Sequence, residues 1–193
     1  MPTRSEVGPW SRVVGYHLLQ GPPPGLVGPP QPLWPGGSVL NGARFTATGG
    51  IGSVYLASDP VTGLREVAAL LTGIGPFRTP PWVVFSVEGF LERVLDLTDP
   101  AIQSRLGTSL AELTGDWRYS QEIYIERRGP LPPTQLLGQV AHETGVIVAM
   151  RYHSAKNIGE GTGFVVFGDR LVPGRASFLE VYDPHGSIQQ RLP

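Results

Sequence analysis

Sixteen residues near the amino terminus constrain the possible folds more than any other feature of this chain. Residues 21–36 contain seven Pro and four Gly. Pro has no backbone N–H and a fixed φ angle, so this segment cannot form a helix or an interior strand. Two readings remain open. The segment is either an extended, disordered insertion or a loop over a cleft, with Leu26, Val27, Leu33 and Trp34 as apolar anchors.

The length of the chain suits one domain with short tails. It has 193 residues, of which 40% are hydrophobic, enough for a sizeable core. We find no internal repeat and no internal domain boundary. We therefore predict an N-terminal tail at residues 1–12, a domain at residues 13–183 and a C-terminal tail at residues 184–193.

Charge and composition argue against several classes of protein. The net charge is −1, with none of the basic excess expected for nucleic-acid binding. The absence of Cys excludes disulfides and thiolate metal sites. No apolar run approaches the eighteen residues of a membrane span, and the first residues do not resemble a signal peptide. A cytoplasmic location is the default expectation.

Apolar periodicity and turn residues predict an α+β domain of seven or eight short strands and three helices. The clearest signal is Asp59-Pro60, a helix cap followed by Pro at the first helical position. Val61, Leu64, Ala68 and Leu71 then form the expected buried stripe. The strands are predicted at residues 13–19, 43–48, 53–57, 81–87, 93–97, 146–151, 163–168 and 177–182, and the other helices at residues 99–106, with a further turn at 110–113, and at 134–144.

Common catalytic motifs are missing from the sequence. It has no G-x-S-x-G nucleophile elbow, no phosphate-binding P-loop and no dinucleotide fingerprint. The four His show no metal-ligand spacing, so no metal is expected. Glu122 and Glu126 flank the segment Ile123-Tyr-Ile125, which suggests a strand with two solvated acids.

Four polar or aromatic residues fall in a fixed order within short segments. Arg44 lies in Asn41-Gly-Ala-Arg-Phe45, Tyr55 in Val54-Tyr-Leu-Ala57, Glu66 in Leu64-Arg-Glu-Val67, and Ser154 in Arg151-Tyr-His-Ser154. Each has an ordinary structural explanation when taken alone. Glu66, for example, lies about 200° around the helix from Leu64, which directs it toward solvent or a cleft.

Taken together, these segments resemble the RES domain family, which is named for its Arg, Glu and Ser. The resemblance extends over about residues 13–182 and includes Gly163-Phe-Val-Val-Phe167. It implies a fold like that of the ADP-ribosyltransferase toxins, with short twisted sheets flanked by helices. It also implies NAD as the substrate and cleavage of its nicotinamide–ribose bond, an activity of glycohydrolases and phosphorylases.

The resemblance assigns a role to each motif residue. Glu66 would stabilise the positive ribose of an oxocarbenium-like transition state, and Arg44 would bind the pyrophosphate. Tyr55 would offer an aromatic face to nicotinamide, and Ser154 a hydroxyl to the ribose or phosphate. Family members also carry an early Arg near the first strand, where this chain offers Tyr16 and His17. Arg65 and Lys156 are the candidates to replace that missing cation in NAD binding.

Three functional hypotheses stay open from the sequence alone. The first is an NAD glycohydrolase or phosphorylase, the second an ADP-ribosyltransferase that modifies a protein, and the third a non-catalytic NAD- or protein-binding module. Because the family includes toxins of toxin–antitoxin systems, the resemblance implies a helix-turn-helix, Xre-like antitoxin as partner. A homodimer is possible, and neither nucleic acid nor a membrane is an expected partner.

Overall fold

A computed structural model describes residues 2–23, 25–68, 81–126 and 129–193. No helix in these ranges is long and apolar enough to cross a membrane. The strands are β1 (Arg4–Val7), β2 (Trp10–Gly15), β3 (Ser53–Ala57), β4 (Trp82–Asp96), β5 (Ala149–His153), β6 (Thr162–Phe167), β7 (Phe178–Val181) and β8 (Arg191–Leu192). The helices are α1 (His17–Gln20), α2 (Gly36–Asn41), α3 (Pro60–Ala68), α4 (Pro100–Arg105), α5 (Leu110–Thr114), α6 (Trp117–Ile125) and α7 (Pro133–Glu143).

The strands pair in a closed circuit of β2, β3, β6, β5 and β4. The β4–β5 pair is parallel and the other four are antiparallel. The circuit is weakest between β2 and β3, which share one registered pair, Ser11 opposite Ala57, in the described part of the chain. Strands β1 and β7 add to β4, and β8 adds to β7.

Strand β4 is the central strand of the sheet and pairs with β1, β2, β5 and β7. The sequence predicts two strands here, at residues 81–87 and 93–97, but one 15-residue strand spans Trp82–Asp96. Its first part pairs with β2 and its last part with β5. A bulge at Glu92 and Arg93 bends it between these partners, and Arg93 takes a φ of 53°. The bulge interrupts the regular alternation of side chains, which explains why the sequence pattern predicts two strands.

Alternate residues of the central strands fill two separate apolar cores. Val54 and Val166 belong to a core with Trp10, Leu91 and Leu179. The intervening Val165 and Phe167 belong to the other core, with Phe45, Leu95, Leu97 and Ile147, against which Leu137 of α7 also packs. This two-residue alternation buries β6 on both faces, which explains its continuously apolar sequence.

Both terminal segments, which the sequence predicts as tails, carry paired strands. Residues 4–7 and 10–15 form β1 and β2, and Arg4 makes a 2.6 Å ion pair with Asp96 of β4. At the other end, β8 pairs with β7. Gln190 also accepts a 2.6 Å hydrogen bond from the backbone N–H of Leu33. Strands β1 and β8 are held mainly by backbone pairing and ion pairs, which apolar periodicity does not predict, whereas Trp10 of the predicted N-terminal tail is part of the core.

Two further elements differ from the sequence prediction. Residues 43–48 form a turn closed by a bridge between Ala43 and Thr46, not a strand. Residues 122–126 belong to helix α6 and its end, because Asp116 caps that helix by accepting from the N–H groups of Arg118 and Tyr119. The chain has seven short helices in the described ranges instead of three. The predicted α+β class itself is confirmed.

The Pro-rich segment is ordered over its described residues by a few anchors. Leu33 is fully buried, and Trp34 is partly buried. Leu26 and Val27, which were also predicted as anchors, are exposed. Because the carbonyl of Pro32 accepts a 2.7 Å hydrogen bond from Arg12, the segment is tied to β2.

Candidate functional site

The site is a cavity of about 1180 Å³ next to the weak junction between β2 and β3. Strands β2 and β3, helices α3 and α6, and the turn at residues 42–44 contribute to its wall. The cavity therefore opens where the closed circuit of strands has its shortest pairing. It brings together three of the four motif residues, Arg44, Tyr55 and Glu66, and the fourth lies directly behind Glu66.

Glu66 reaches the cavity because α3 buries a different face from the one predicted. Of the expected buried stripe, Val61, Leu64 and Ala68 are exposed, and Leu71 lies outside the described residues. The buried residues are Thr62 and Gly63. A Cβ on Gly63 would lie 2.8 Å from Val13, so this Gly allows α3 to approach β2 closely. Glu66 follows Thr62 by four residues and shares its face.

Ser154 holds the Glu66 carboxylate in place. Its hydroxyl donates a 2.5 Å hydrogen bond to Oε1 of Glu66. Oγ of Ser154 in turn accepts hydrogen bonds from the backbone N–H groups of Lys156 and Asn157, at 3.2 and 3.0 Å. Ser154 is 0% exposed and is not among the residues that line the cavity. Ser154 therefore lies behind Glu66 and outside the lining of the cavity.

A chain of polar contacts fixes α3 to the loop that follows Ser154. Asp59 accepts from the hydroxyl of Thr62 at 2.6 Å and from its N–H at 2.9 Å, and these bonds hold the pKa of Asp59 below its usual value. Thr62 accepts a 2.8 Å bond from the Asn157 side chain. Arg65 also bonds Asn157 and lies 3.9 Å from Glu160, outside the lining of the cavity. Arg65 therefore contacts the loop after Ser154 and does not line the cavity.

Arg44 is buried at the edge of the cavity. Its Nη1 donates to the carbonyl oxygens of Leu113 and Gly115, at 2.9 and 2.8 Å. These carbonyls end α5 and precede α6, so Arg44 fixes the corner that leads into α6. Its Nε and Nη2 have no protein acceptor among the described residues and are available to a ligand.

Tyr55 supports the turn that carries Arg44. Its hydroxyl accepts a 3.0 Å hydrogen bond from the backbone N–H of Phe45 and lies 3.2 Å from Oγ1 of Thr46. Burial raises the pKa of Tyr55 to about 12, so the side chain stays a neutral phenol. It also lines the cavity, where its ring can contact a planar ligand.

Tyr152 is a site residue that the sequence reasoning missed. It lines the cavity, and its ring lies 4.7 Å from the ring of Phe45. The register of β5 and β6 sets Tyr152 opposite Gly163, where a Cβ would lie 2.6 Å from the Tyr152 hydroxyl. Burial, and next the negative charge of Glu66, raise its pKa well above the ordinary value. Its position two residues before Ser154 was the available signal.

Arg12 supplies the early cation that the sequence reasoning considered absent. Its guanidinium lines the cavity and donates to the carbonyls of Pro32 and Tyr55, each at 2.7 Å. Burial lowers the pKa of Arg12 to about 10, which leaves it charged at neutral pH. Tyr16 and His17, which were offered in its place, are exposed at the start of α1. Lys156 is exposed and lines the cavity.

Two other parts of the chain complete the wall. Glu122 lines the cavity because residues 117–125 are helical. Trp34 lines it as well, so the Pro-rich segment is a loop beside a cleft, one of its two expected readings. The described residues contain no group of three or more His, Asp or Glu placed to hold a metal ion.

Comparison with known proteins identifies the family of the chain and a solved structure with the same fold. A sequence model of the RES domain matches residues 23–187. The chain belongs to the RES domain family. Among solved structures, this RES domain is similar to a chain of the M. tuberculosis MbcT–MbcA toxin–antitoxin complex, with a TM-score of 0.66 and 19% sequence identity. The alignment covers 94% of this chain and 84% of the other, and at that identity it shows a shared fold. No curated protein matches the sequence.

Proposed function

We propose that this chain is the toxin of a toxin–antitoxin pair and that it cleaves the nicotinamide–ribose bond of NAD. The observation that carries the proposal is the Glu66 carboxylate, held by Ser154 at a cavity that also presents Arg12 and Arg44. An anchored carboxylate suits a reaction in which positive charge grows on the substrate. Two arginines beside it suit the pyrophosphate of a dinucleotide.

The chemistry uses the charge distribution of the cavity. The bond between C1′ of the ribose and the ring nitrogen breaks, and its electron pair leaves with nicotinamide, which becomes neutral. Glu66 stabilises the oxocarbenium-like ribose, while Arg12 and Arg44 hold the pyrophosphate. Tyr55 presents its ring to nicotinamide. An acceptor oxygen then bonds to C1′ and loses its proton, so that water gives ADP-ribose and phosphate gives its 1-phosphate.

The proposal extends to the partner and location of the protein. A toxin of this kind has an antitoxin, for which we propose a helix-turn-helix, Xre-like protein, and it acts on cytoplasmic NAD. The neighbouring structure is that of a toxin–antitoxin complex, which supports a protein partner. Arg12 at the cavity supports the catalytic hypothesis, because a missing early Arg was one of the two reasons for considering a non-catalytic module.

Product analysis tests the reaction. Purified protein is incubated with NAD, with and without phosphate, and the products are separated by chromatography. We expect nicotinamide in a one-to-one ratio with ADP-ribose, or with its 1-phosphate when phosphate is the acceptor. Nicotinamide accompanied by labelled protein would favour the transferase alternative. If NAD is bound but no nicotinamide is released, the proposed activity is wrong.

Replacement of Ser154 tests whether the carboxylate must be held. In Ser154→Ala, Glu66 loses its 2.5 Å hydrogen bond and its fixed orientation. We expect kcat for nicotinamide release to fall about tenfold while KM changes little, because the interaction is used mainly in the transition state. Steady-state kinetics give both values. A rise in KM at unchanged kcat would instead place Ser154 in ground-state binding.

Replacement of Tyr152 tests a neutral hydroxyl next to Glu66. Its raised pKa keeps the phenol proton in place, so the group can donate to a ribose hydroxyl or to the acceptor. We expect Tyr152→Phe to lower kcat/KM by about tenfold to a hundredfold. Tyr182→Phe is the matched control, because Tyr182 is exposed and does not line the cavity. Equal activity of the two variants would remove Tyr152 from the mechanism.

A further inference from the structure

A second, smaller cavity lies apart from the first and shares none of its lining residues. Its volume is about 270 Å³. The bulge of β4, the turn between α7 and β5, and the connection from β6 to β7 meet there. Three arginines line it, Arg93, Arg170 and Arg175. We propose that this cavity, which we call the arginine cavity, binds an oxyanion of the phosphate class.

The positive charges that line the arginine cavity lack negative partners among the described residues. Two carboxylates also line it, Glu92 and Asp169. Oδ2 of Asp169 lies 2.8 Å from Nε2 of His142. Among the described residues, no carboxylate lies within ion-pair distance of Arg93, Arg170 or Arg175. Arg93 and Arg175 are exposed, so an anion from solvent can reach guanidinium charges that have no carboxylate partner among the described residues.

Two polar groups at the arginine cavity have unused donors. Nη2 of Arg170 donates to the carbonyl of His142 at 2.8 Å, but its Nε is buried without an acceptor. A buried donor without an acceptor costs free energy, which indicates that the protein alone does not satisfy this guanidinium. Ser177, 1% exposed, accepts a 2.9 Å bond from the N–H of Glu92, and its own O–H has no acceptor among the described residues.

The bulge gives the backbone of β4 an unusual conformation at the arginine cavity. Arg93 has a φ of 53°, a conformation that residues other than Gly rarely adopt. The bulge directs its carbonyl to the N–H of Val148 at 3.3 Å and sets its side chain at the arginine cavity. Bulges often redirect side chains at binding sites. Guanidinium forks from three segments suit the several oxygens of a phosphate better than a planar carboxylate.

Calorimetric titration of the full-length protein with inorganic phosphate tests the proposal. We expect Arg175→Gln to weaken phosphate binding about tenfold, the effect of one lost charge-assisted contact. Arg93→Gly should weaken it similarly while preserving the fold, because Gly accepts a positive φ. Titrations with AMP and acetate identify the class of ligand. Tight AMP binding would indicate a nucleotide phosphate as the source, whereas equal affinity for acetate would overturn the phosphate class.

Two control variants separate this site from the large cavity. Lys156→Gln removes a cation from the large cavity, and Arg105→Gln removes an exposed cation that lines neither cavity. Both should bind phosphate like the original protein. The proposal is wrong if the original protein binds no phosphate, or if Lys156→Gln loses binding while Arg93→Gly and Arg175→Gln retain it. NAD turnover is measured separately and does not enter this result.

Discussion

Glu66→Gln should lower kcat/KM for nicotinamide release about 10³-fold, because it removes the negative charge that opposes the growing charge of the ribose. The substitution keeps the shape of the side chain and a group that can still contact Ser154. NAD affinity, measured by calorimetry, should change far less than the rate. A large loss of rate with nearly intact binding is the signature of an interaction used in the transition state.

Glu122→Gln is the matched control for this prediction. Glu122 also lines the large cavity, but it lies on α6 and has no contact with Ser154. If only the overall negative charge of the cavity mattered, the two variants would lose similar activity. We expect the Glu122 variant to stay within about threefold of the original rate, a change of less than one kcal/mol. Retention of more than a tenth of the activity by the Glu66 variant would contradict its assigned role.

Gly138→Ala should destabilise the protein by about 3 kcal/mol or more. In most helices the change from Gly to Ala stabilises by about 0.5–1 kcal/mol. Here a Cβ would lie 1.9 Å from the carbonyl oxygen of Phe45, a backbone atom that cannot rotate away. Helix α7 must then move off the turn that carries Arg44. Denaturant unfolding should show the loss, and NAD cleavage should fall with it.

Gly37→Ala should have the opposite effect and stabilise the protein. Gly37 lies in α2, and a Cβ there would meet nothing within 4 Å. We expect a gain of about 0.5–1 kcal/mol, the ordinary effect of replacing Gly by Ala in a helix. If both variants were stabilised, the close contact of α7 with Phe45 would not exist in solution.

The sequence predicted the motif residues better than it predicted their surroundings. Arg44, Tyr55 and Glu66 do line one cavity, with Ser154 behind it. The burial of α3 was predicted wrongly, because apolar spacing favoured Val61 and Leu64. The small residues Thr62 and Gly63 decide the packing through a close approach to β2 and a polar junction with Asn157. Periodicity of apolar residues carries no information about such contacts.

Arg12 and Tyr152 were missed for two different reasons. The Pro-rich segment separates Arg12 from the Arg44 motif, so the spacing that identified the other residues did not reach it. The location of Arg12 became evident only from its bonds to Pro32 and Tyr55. Tyr152 lies just after the strand predicted at residues 146–151, and its placement depends on the missing side chain of Gly163 in the neighbouring strand. Long-range register cannot be read from a single strand.

The most direct test of the central claim is a single-turnover experiment with enzyme in excess over NAD. Chromatography follows nicotinamide for the original protein and for Glu66→Gln, so that even a slow reaction is visible. The account predicts complete release of nicotinamide by the original protein and almost none by the variant in the same time. Nicotinamide release at equal rates, or NAD that stays intact in the presence of folded original protein, would contradict it.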